Sequence, residues 1–343
     1  MRVLVVGAGA VGGYFGGRLL EAQRDVTFLV RHRRAAELAV TGLRIHSPTG
    51  DVHLPAPPTV LAEDINEPFG LVLLSCKAFD LTSAIAAFAP AVGPDTVILP
   101  LLNGMRHIDV LAERFGTAVL GGRCLISSTL NAAREIVHLT EMHTLNFGEL
   151  DGTASPRVKA IEKLLSGAHF DGQSSDQILL HMWEKWVFIA TLAGSTCLMR
   201  SSVGDICAAP GGKDFVVRLL EECRTIAKAA GFPPREPAMD RARELLTGDS
   251  PLKASMLRDM ESGGPIEADQ IVGDLLQRAD SAGAPPVLLP VVYSALKAYE
   301  VQRARKASHA GSLRRPLTLS VETRPTTPKA TPAPRPTNPP ISR

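Results

Sequence analysis

The sequence contains no C-x-x-C pair, and its five cysteines (Cys76, Cys124, Cys197, Cys207, Cys223) are an odd number. That pattern excludes a cysteine-based zinc site and argues against a disulfide framework, so no metal is expected and the thiols read as reduced, in a cytoplasmic protein. Cys124 and Cys197 sit in apolar runs, where a free cysteine is most often a small core residue. Long hydrophobic runs are also missing. The uncharged stretch Trp186–Met199 is shorter than the roughly 20 apolar residues a bilayer-spanning helix needs. Val3–Gly17 is uncharged and follows an arginine, but its glycines fall at motif spacing, so it reads as part of the fold rather than a secretion signal. No membrane partner is expected. Nor is there a charge excess. The net charge is +2, and residues 301–343 hold nine basic side chains against one acid, Glu322, which leaves the body of the chain mildly acidic. A mildly acidic body gives no reason to expect nucleic acid as a partner. No internal repeat is present.

What the chain does contain is length and alternation. Its 343 residues suffice for two domains, each with its own core. In the N-terminal half, strand-like runs (Val3–Val6, Val26–Val30, Leu71–Ser75, Thr96–Leu99, Ala118–Leu120) alternate with helical patterns (Val11–Ala22, Arg33–Val40, Leu81–Phe88, Met105–Arg114). Such alternation predicts a Rossmann-type, doubly wound parallel sheet. Further short runs at Leu43–His46, Val52–Leu54, Leu125–Leu130, Ile136–Leu139 and Thr144–Phe147 read as added strands, antiparallel in part, whose order is not legible. After Phe170 strand-like runs stop and helical segments follow: Gln177–Leu192, Asp214–Ala230, Ala238–Leu246, Leu252–Glu261, Asp269–Ala282 and Val287–Arg305. Ala168–Ser175, with Gly172 and two serines, reads as a hinge. Residues 1–171 are therefore expected as the dinucleotide-binding domain, 172–307 as an all-α domain, and 308–343 as a basic, Pro/Thr-rich tail; the eight prolines from Pro316 onward predict disorder there.

Gly7-Ala8-Gly9-Ala10-Val11-Gly12 follows the first strand directly and opens the first helix. In a G-x-G-x-x-G turn the first glycine permits a tight bend, the second lets backbone approach a pyrophosphate, and the third allows close helix–strand packing. The phosphates then sit at a helix N-terminus, where free N–H groups and the dipole favour anions. About twenty residues further on, at the end of the second strand, a site for NAD usually carries Asp or Glu on the ribose hydroxyls. This chain reads Arg31-His32-Arg33-Arg34. With no carboxylate at that place and a guanidinium able to pair with a 2′-phosphate, Arg31 predicts NADP(H), while Arg33 and Arg34 read as solvated.

Lys77 follows the apolar strand Leu71–Ser75, and Asn103 lies just past the next strand in Leu102-Asn103-Gly104. The C-terminal strand ends of an open α/β sheet line the ligand crevice, so both are placed where a nicotinamide and its substrate would meet. A surface cation and an Asn-Gly turn would account for either residue alone. Lys185 opens the uncharged run that lasts until Arg200; it either snorkels or, desolvated in a cleft, has its pKa lowered toward the range useful for proton transfer. Glu267 sits at a helix start, where the dipole favours a carboxylate, and Ser255 and Asp259 share one helix face before it.

As an ordered set, GAGAVG at 7–12, Arg31, S-C-K-A-F ending the third strand, N-G-M at 103–105, W-x-K at 183–185, and S-M-L-x-D followed by I-E at 266–267 resemble the ketopantoate reductase (2-dehydropantoate 2-reductase) family over roughly residues 1–305. The resemblance implies a Rossmann domain followed by a helical domain of the 6-phosphogluconate dehydrogenase C-terminal type. It also implies NADPH-dependent reduction of a 2-oxo acid, with ketopantoate, in pantothenate biosynthesis, as the best single candidate. By it Lys185 is the general acid, Glu267 contacts the cofactor ribose and the new hydroxyl and supports Lys185, Asn103 positions nicotinamide and substrate, Lys77 the cofactor, and Ser255 the substrate. It is compatible with a homodimer or a monomer.

The family places asparagines one and two helical turns after the lysine. Here those positions are Ile189 and Ala193. Because i, i+4 and i+8 share a helix face, two hydrogen-bonding groups are missing beside Lys185, and a buried substrate oxygen left unpaired costs about 1–3 kcal/mol. Two other readings follow: the same chemistry on a different 2-oxo acid, or an NADP-binding sensor without catalysis, against which the retained Lys185 and Glu267 argue.

Overall fold

The computed structural model describes residues 1–281, 283–312 and 330–337. Met1–Gln302 form one compact unit and Arg303–Arg343 a second. The first unit begins with β1 (Val3–Val6), α1 (Ala10–Glu21), β2 (Val26–Leu29), α2 (His32–Thr41), β3 (Leu43–His46), β4 (Val52–Leu54) and β5 (Thr59–Val60). It continues with β6 (Leu71–Leu74), α3 (Leu81–Phe88), β7 (Val97–Pro100), α4 (Arg106–Phe115), the long strands β8 (Gly121–Leu130) and β9 (Ile136–Gly148), α5 (Pro156–Leu165) and β10 (Asp171–Ser174). The helical half comprises α6 (Ile178–Met199), α7 (Val203–Ala208), α8 (Gly212–Ala229), α9 (Glu236–Thr247), α10 (Ser255–Glu261), α11 (Asp274–Ser281) and α12 (Leu289–Ser312).

Five strands form a parallel sheet in the order β5-β2-β1-β6-β7, with Val3 opposite both Val26 and Leu71. The chain winds outward from β1 to β5, then returns to the other side of β1 as β6. The ends of β1 and β6 therefore flank the point where winding reverses, the place where open α/β sheets bind ligands. All four residues of β1, β6 and β7 are buried, as uninterrupted apolar runs covered on both faces should be. Leu4, Val6, Val72, Leu74 and Ile98 pack into one core; Val3, Val5, Leu71, Leu73, Val97 and Leu99 pack into another.

The added strands form a second sheet in the order β10-β9-β3-β4, with β8 antiparallel to β9, while β3 and β10 pair with β9 in parallel. The run expected as a strand at Ala118–Leu120 makes only an isolated bridge, Val119 to Ile98. The expected hinge is instead β10 and its approach: Ala168 and Phe170 are buried, and Asp171–Ser174 pair with Thr144–Phe147. Polar composition had disguised an edge strand, whose side chains need not be apolar. Two helices lacked a legible period but had legible caps. Ser155, ahead of Pro156, accepts from the Val158 amide, and Ser202 with Asp205 forms a capping box.

The first core runs without a break from the sheet into the helical half, where Leu102, Met105 and Ile108 meet Met182, Trp183 and Trp186. Helix α6 is apolar on nearly every side and lies in this core, the burial expected of such a helix. The segment expected as a plain helix over 269–282 opens with a π-helical turn, Asp269–Gly273, before α11; the Ile271 carbonyl there accepts from the Trp186 indole at 2.9 Å. Helix α12 reaches Ser312, so the boundary expected at 308 falls within it. Of the expected disordered tail, residues 330–337 are exposed and without secondary structure, and the rest from Pro316 on lies outside the described residues. No helix among the described residues is long and apolar enough to cross a membrane.

Candidate active site

The glycine loop is shaped for an anion. Gly7 turns the chain with φ +95°, and α1 begins at Ala10 with Gly9 at its cap, no capping side chain and no acid in the first turn. A Cβ on Gly12 would lie 2.0 Å from Ser75 Oγ and 2.4 Å from the Gly7 carbonyl, so glycine is required there. A Cβ on Gly9 would meet nothing within 4 Å; the loop faces open space on that side. Unshielded N–H groups, the positive end of a helix dipole and room for a close approach fit the pyrophosphate of a dinucleotide. Ser75, at the end of β6, holds the loop with its hydroxyl 2.9 Å from the Val6 carbonyl and 3.2 Å from that of Gly7.

Arg31 follows β2 with its side chain 76% exposed, and donates to Asp80 at 2.8 Å. The absence of a carboxylate expected at this position is therefore corrected by tertiary structure: Asp80 arrives from beyond β6. An exposed pair of this kind is worth at most about 1 kcal/mol, too little to exclude a doubly charged phosphate. Arg33 is exposed as expected. Arg34 is not solvated: its side chain is 12% exposed and its Nε donates to the Ala8 carbonyl at 3.2 Å, tying α2 to the glycine loop.

The remaining residues gather into two groups. In the first, Lys77 Nζ lies 2.9 Å from Asp259 and 3.3 Å from Glu267, and the second Glu267 oxygen accepts the Ala78 amide at 3.0 Å. Burial alone would lower the Lys77 pKa, but Glu267 and Asp259 outweigh it and raise it. Ser255 begins α10 one turn before Asp259 and is exposed. In the second group, Lys185 and Asn103 line one narrow pocket with Arg123, Met182 and Trp186. Lys185 Nζ donates to the Cys124 carbonyl at 2.6 Å. The support expected from Glu267 is thus directed to Lys77 in this structure. A separate hollow of about 560 Å³ beside Thr49, His143 and His169 shares no residue with either group.

Behind Asn103 stands a buried relay. Gln270, in the π-helical turn, donates to the Asn103 carbonyl at 2.8 Å and lies 3.1 Å from His107 Nδ1. Burial, with the charges of Lys185 and Arg278, pushes the His107 pKa down to about 3, so the ring is neutral. The Asn-Gly turn is real, and it is also what presents Asn103 to the pocket.

Two ketopantoate reductase models match the chain in order: the PanE/ApbA model over residues 3–152 and its C-terminal model over 177–300. The chain belongs to the ketopantoate reductase family. Ketopantoate reductases are NADP-dependent oxidoreductases, and the chain is accordingly an oxidoreductase that uses NADP(H). An uncharacterized oxidoreductase of Bacillus subtilis, YkpB, is 38% identical over 88% of this chain and its own full length. The 2-dehydropantoate 2-reductase of Halobacterium salinarum is 25% identical over 84% of this chain and 95% of its own. The crystal structure of 2-dehydropantoate 2-reductase from Geobacter metallireducens superposes with a TM-score of 0.80 at 28% identity, covering 87% of this chain and 99% of that one.

Within this ketopantoate reductase fold, Ile189 packs partly buried against the core and Ala193 is 4% exposed, so the helix face after Lys185 is apolar. Reading the residues one motif at a time missed Arg123, Gln270, His107 and Ser75. Arg123 alone carried a signal, as the single charged residue between Arg114 and Arg134. Gly121 and Gly122 put it in place: a Cβ on Gly122 would lie 2.2 Å from the Pro100 carbonyl, so only glycine lets β8 pass that close to the end of β7.

Proposed function

We propose that the protein reduces a 2-oxo acid to the 2-hydroxy acid with NADPH, and that 2-dehydropantoate, reduced to pantoate in pantothenate biosynthesis, is the first substrate to test. The observation that carries this reading is that Lys185 and Asn103 line one pocket just past the end of β7. Bound NADPH supplies the hydride; the remaining work falls to the chain's own residues. Hydride addition leaves negative charge on the former 2-oxo oxygen, and the Lys185 ammonium stabilises that charge and gives up its proton to it. The Cys124 carbonyl takes one of the three Lys185 N–H donors, which leaves two for the substrate oxygen. Asn103, its backbone held by Gln270, orients substrate and nicotinamide. Lys77 and Glu267, paired with each other, would hold the cofactor ribose, and Ser255, exposed one turn from Asp259, would offer its hydroxyl to the substrate.

The test is oxidation of NADPH followed at 340 nm against a panel of 2-oxo acids that includes 2-dehydropantoate. Turnover of 2-dehydropantoate above all others is expected under the first reading. Turnover of a more apolar 2-oxo acid in its place would favour the second, to which the apolar face at Ile189 and Ala193 points. Absence of turnover with tight NADPH binding would overturn both.

A further inference from the structure

Arg123 has no role in the reading above, yet it shares the pocket with the proton donor. It leaves β8 beside Cys124, whose carbonyl holds Lys185, and it lines the same pocket as Lys185 and Asn103. The pocket is lined by two cations and no acid. Among the described residues Arg123 makes no ion pair within 4 Å. The nearby carboxylate, Glu184, is already taken by Arg235 through two bonds of 2.6 Å and its backbone amide at 3.1 Å. Burial, opposed by Glu184 and reinforced by Arg235, holds the Arg123 pKa below the ordinary arginine value. A half-buried cation with no counter-ion is costly to the empty protein and favourable to an incoming anion.

The guanidinium is also aimed. Nε and Nη2 both donate to Asn146 Oδ1, at 3.1 and 2.6 Å, and Asn146 is itself buried on β9. That bond uses one edge of the planar fork and fixes its orientation. The Nη1 hydrogens and the second hydrogen of Nη2 are left for a ligand, in the geometry that suits a carboxylate.

We propose that Arg123 is the specificity-determining residue that binds the substrate carboxylate, and that the substrate is a 2-oxo monocarboxylate with an apolar body; this rests on the 2-oxo acid reductase reading. A 2-oxo acid carries its two polar groups on adjacent carbons. The carboxylate sits on Arg123, the keto oxygen on Lys185, and the rest of the molecule meets Met182, Trp186 and the apolar continuation of α6. The anchor that the family's asparagines supply from α6 is then moved across the pocket to β8. The pocket holds about 10 Å³, the space of one water, so a 2-oxo acid enters only by parting its walls.

The experiment compares wild type, Arg123→Gln and Arg123→Lys. Each is assayed with a 2-oxo acid and its neutral methyl ester, and for binding of oxamate, an unreactive 2-oxo acid isostere, to the NADPH complex. Arg123→Gln is expected to raise KM for the acid about 100-fold, to leave the ester unchanged so that the acid-to-ester preference collapses, and to weaken oxamate to the same degree. Arg123→Lys should restore part of the preference, as a point charge without the fork. NADPH affinity should match wild type in both variants; should Arg123→Gln fail to bind NADPH, the acid-to-ester preference and oxamate affinity of Arg123→Lys decide. An unchanged acid-to-ester preference and unchanged oxamate affinity would overturn the proposal while leaving the reductase reading standing. Oxamate binding that depends on Arg123, without turnover of any 2-oxo acid, would support the carboxylate site and sink the reductase reading. Absence of both would sink both.

Discussion

The cofactor half and the substrate half of this site are built by different means. Around the glycine loop, backbone sets the shape: Gly7 and Gly12 form the turn, α1 begins directly after it, and Ser75 fastens the loop from β6. On the proposed reading Arg31, Lys77 and Glu267 add the side chains. Around the pocket, side chains do everything. Lys185, Asn103 and Arg123 come from a helix, a turn and a strand far apart in sequence, and each is oriented by a separate partner. A backbone cradle tolerates little change and travels with the fold. A side-chain pocket can be re-cut by single substitutions, as Ile189 and Ala193 illustrate.

The comparison is tested most severely by Lys185→Ala. Loss of kcat/KM by roughly 10²–10⁴-fold is expected, with the dissociation constant for NADPH by calorimetry unchanged. Activity near wild type would end the assignment of Lys185 as acid. Next in size is Gly12→Ala. The added methyl has no room between Ser75 and the Gly7 carbonyl, so thermal unfolding should report about 1–3 kcal/mol of lost stability. NADPH binding should fall with it, and a variant that kept both would mean the loop is less constrained than its geometry implies. Arg31→Ala comes third. It should weaken NADPH about 10- to 100-fold by removing charged hydrogen bonds to the 2′-phosphate, while NADH stays as it was; equal losses for both cofactors would assign Arg31 to the loop rather than to the phosphate.

The smallest effect concerns the relay behind Asn103. His107 is neutral in the fold, with a pKa of about 3 against the ordinary 6.5. Above 6.5 neither state binds the proton, so the group contributes no pH dependence. As pH falls below 6.5 the unfolded chain takes up a proton that the folded chain refuses, and stability is lost progressively down to about pH 3. The loss should be about 1 kcal/mol at pH 6 and steepen below it. Denaturant unfolding of His107→Gln, whose amide can still accept from Gln270, should show a flatter acid limb over that window. Superimposable pH profiles for the two proteins would place the titration elsewhere.

Much of the first half was open to reading. The strands β1, β6 and β7 are uninterrupted apolar runs, β2 is interrupted only by Thr27, and helical patterns alternate with them, so their types follow from local pattern. Strand β10 was hidden because Asp171–Ser174 is polar, and the π-helical turn because its winding depends on what Trp186 and Gln270 require of it. Among site residues, Arg31 and Lys185 stood out as charges interrupting predictable segments. Gln270 and His107 did not, since their roles exist only toward each other.

The sequence by itself determined the glycine loop, the basic acceptor position and the placement of Lys77 and Asn103 at strand ends, because glycine content, short-range periodicity and the order of strands are local properties. Tertiary structure alone decided that Asp80 faces Arg31, that Glu267 grips Lys77, and that Arg123 faces the pocket of Lys185. Those pairings join residues separated by tens to nearly two hundred positions. Such partners meet only because the packing of two hydrophobic cores brings distant strand ends and helices together, which no local stretch of chain encodes.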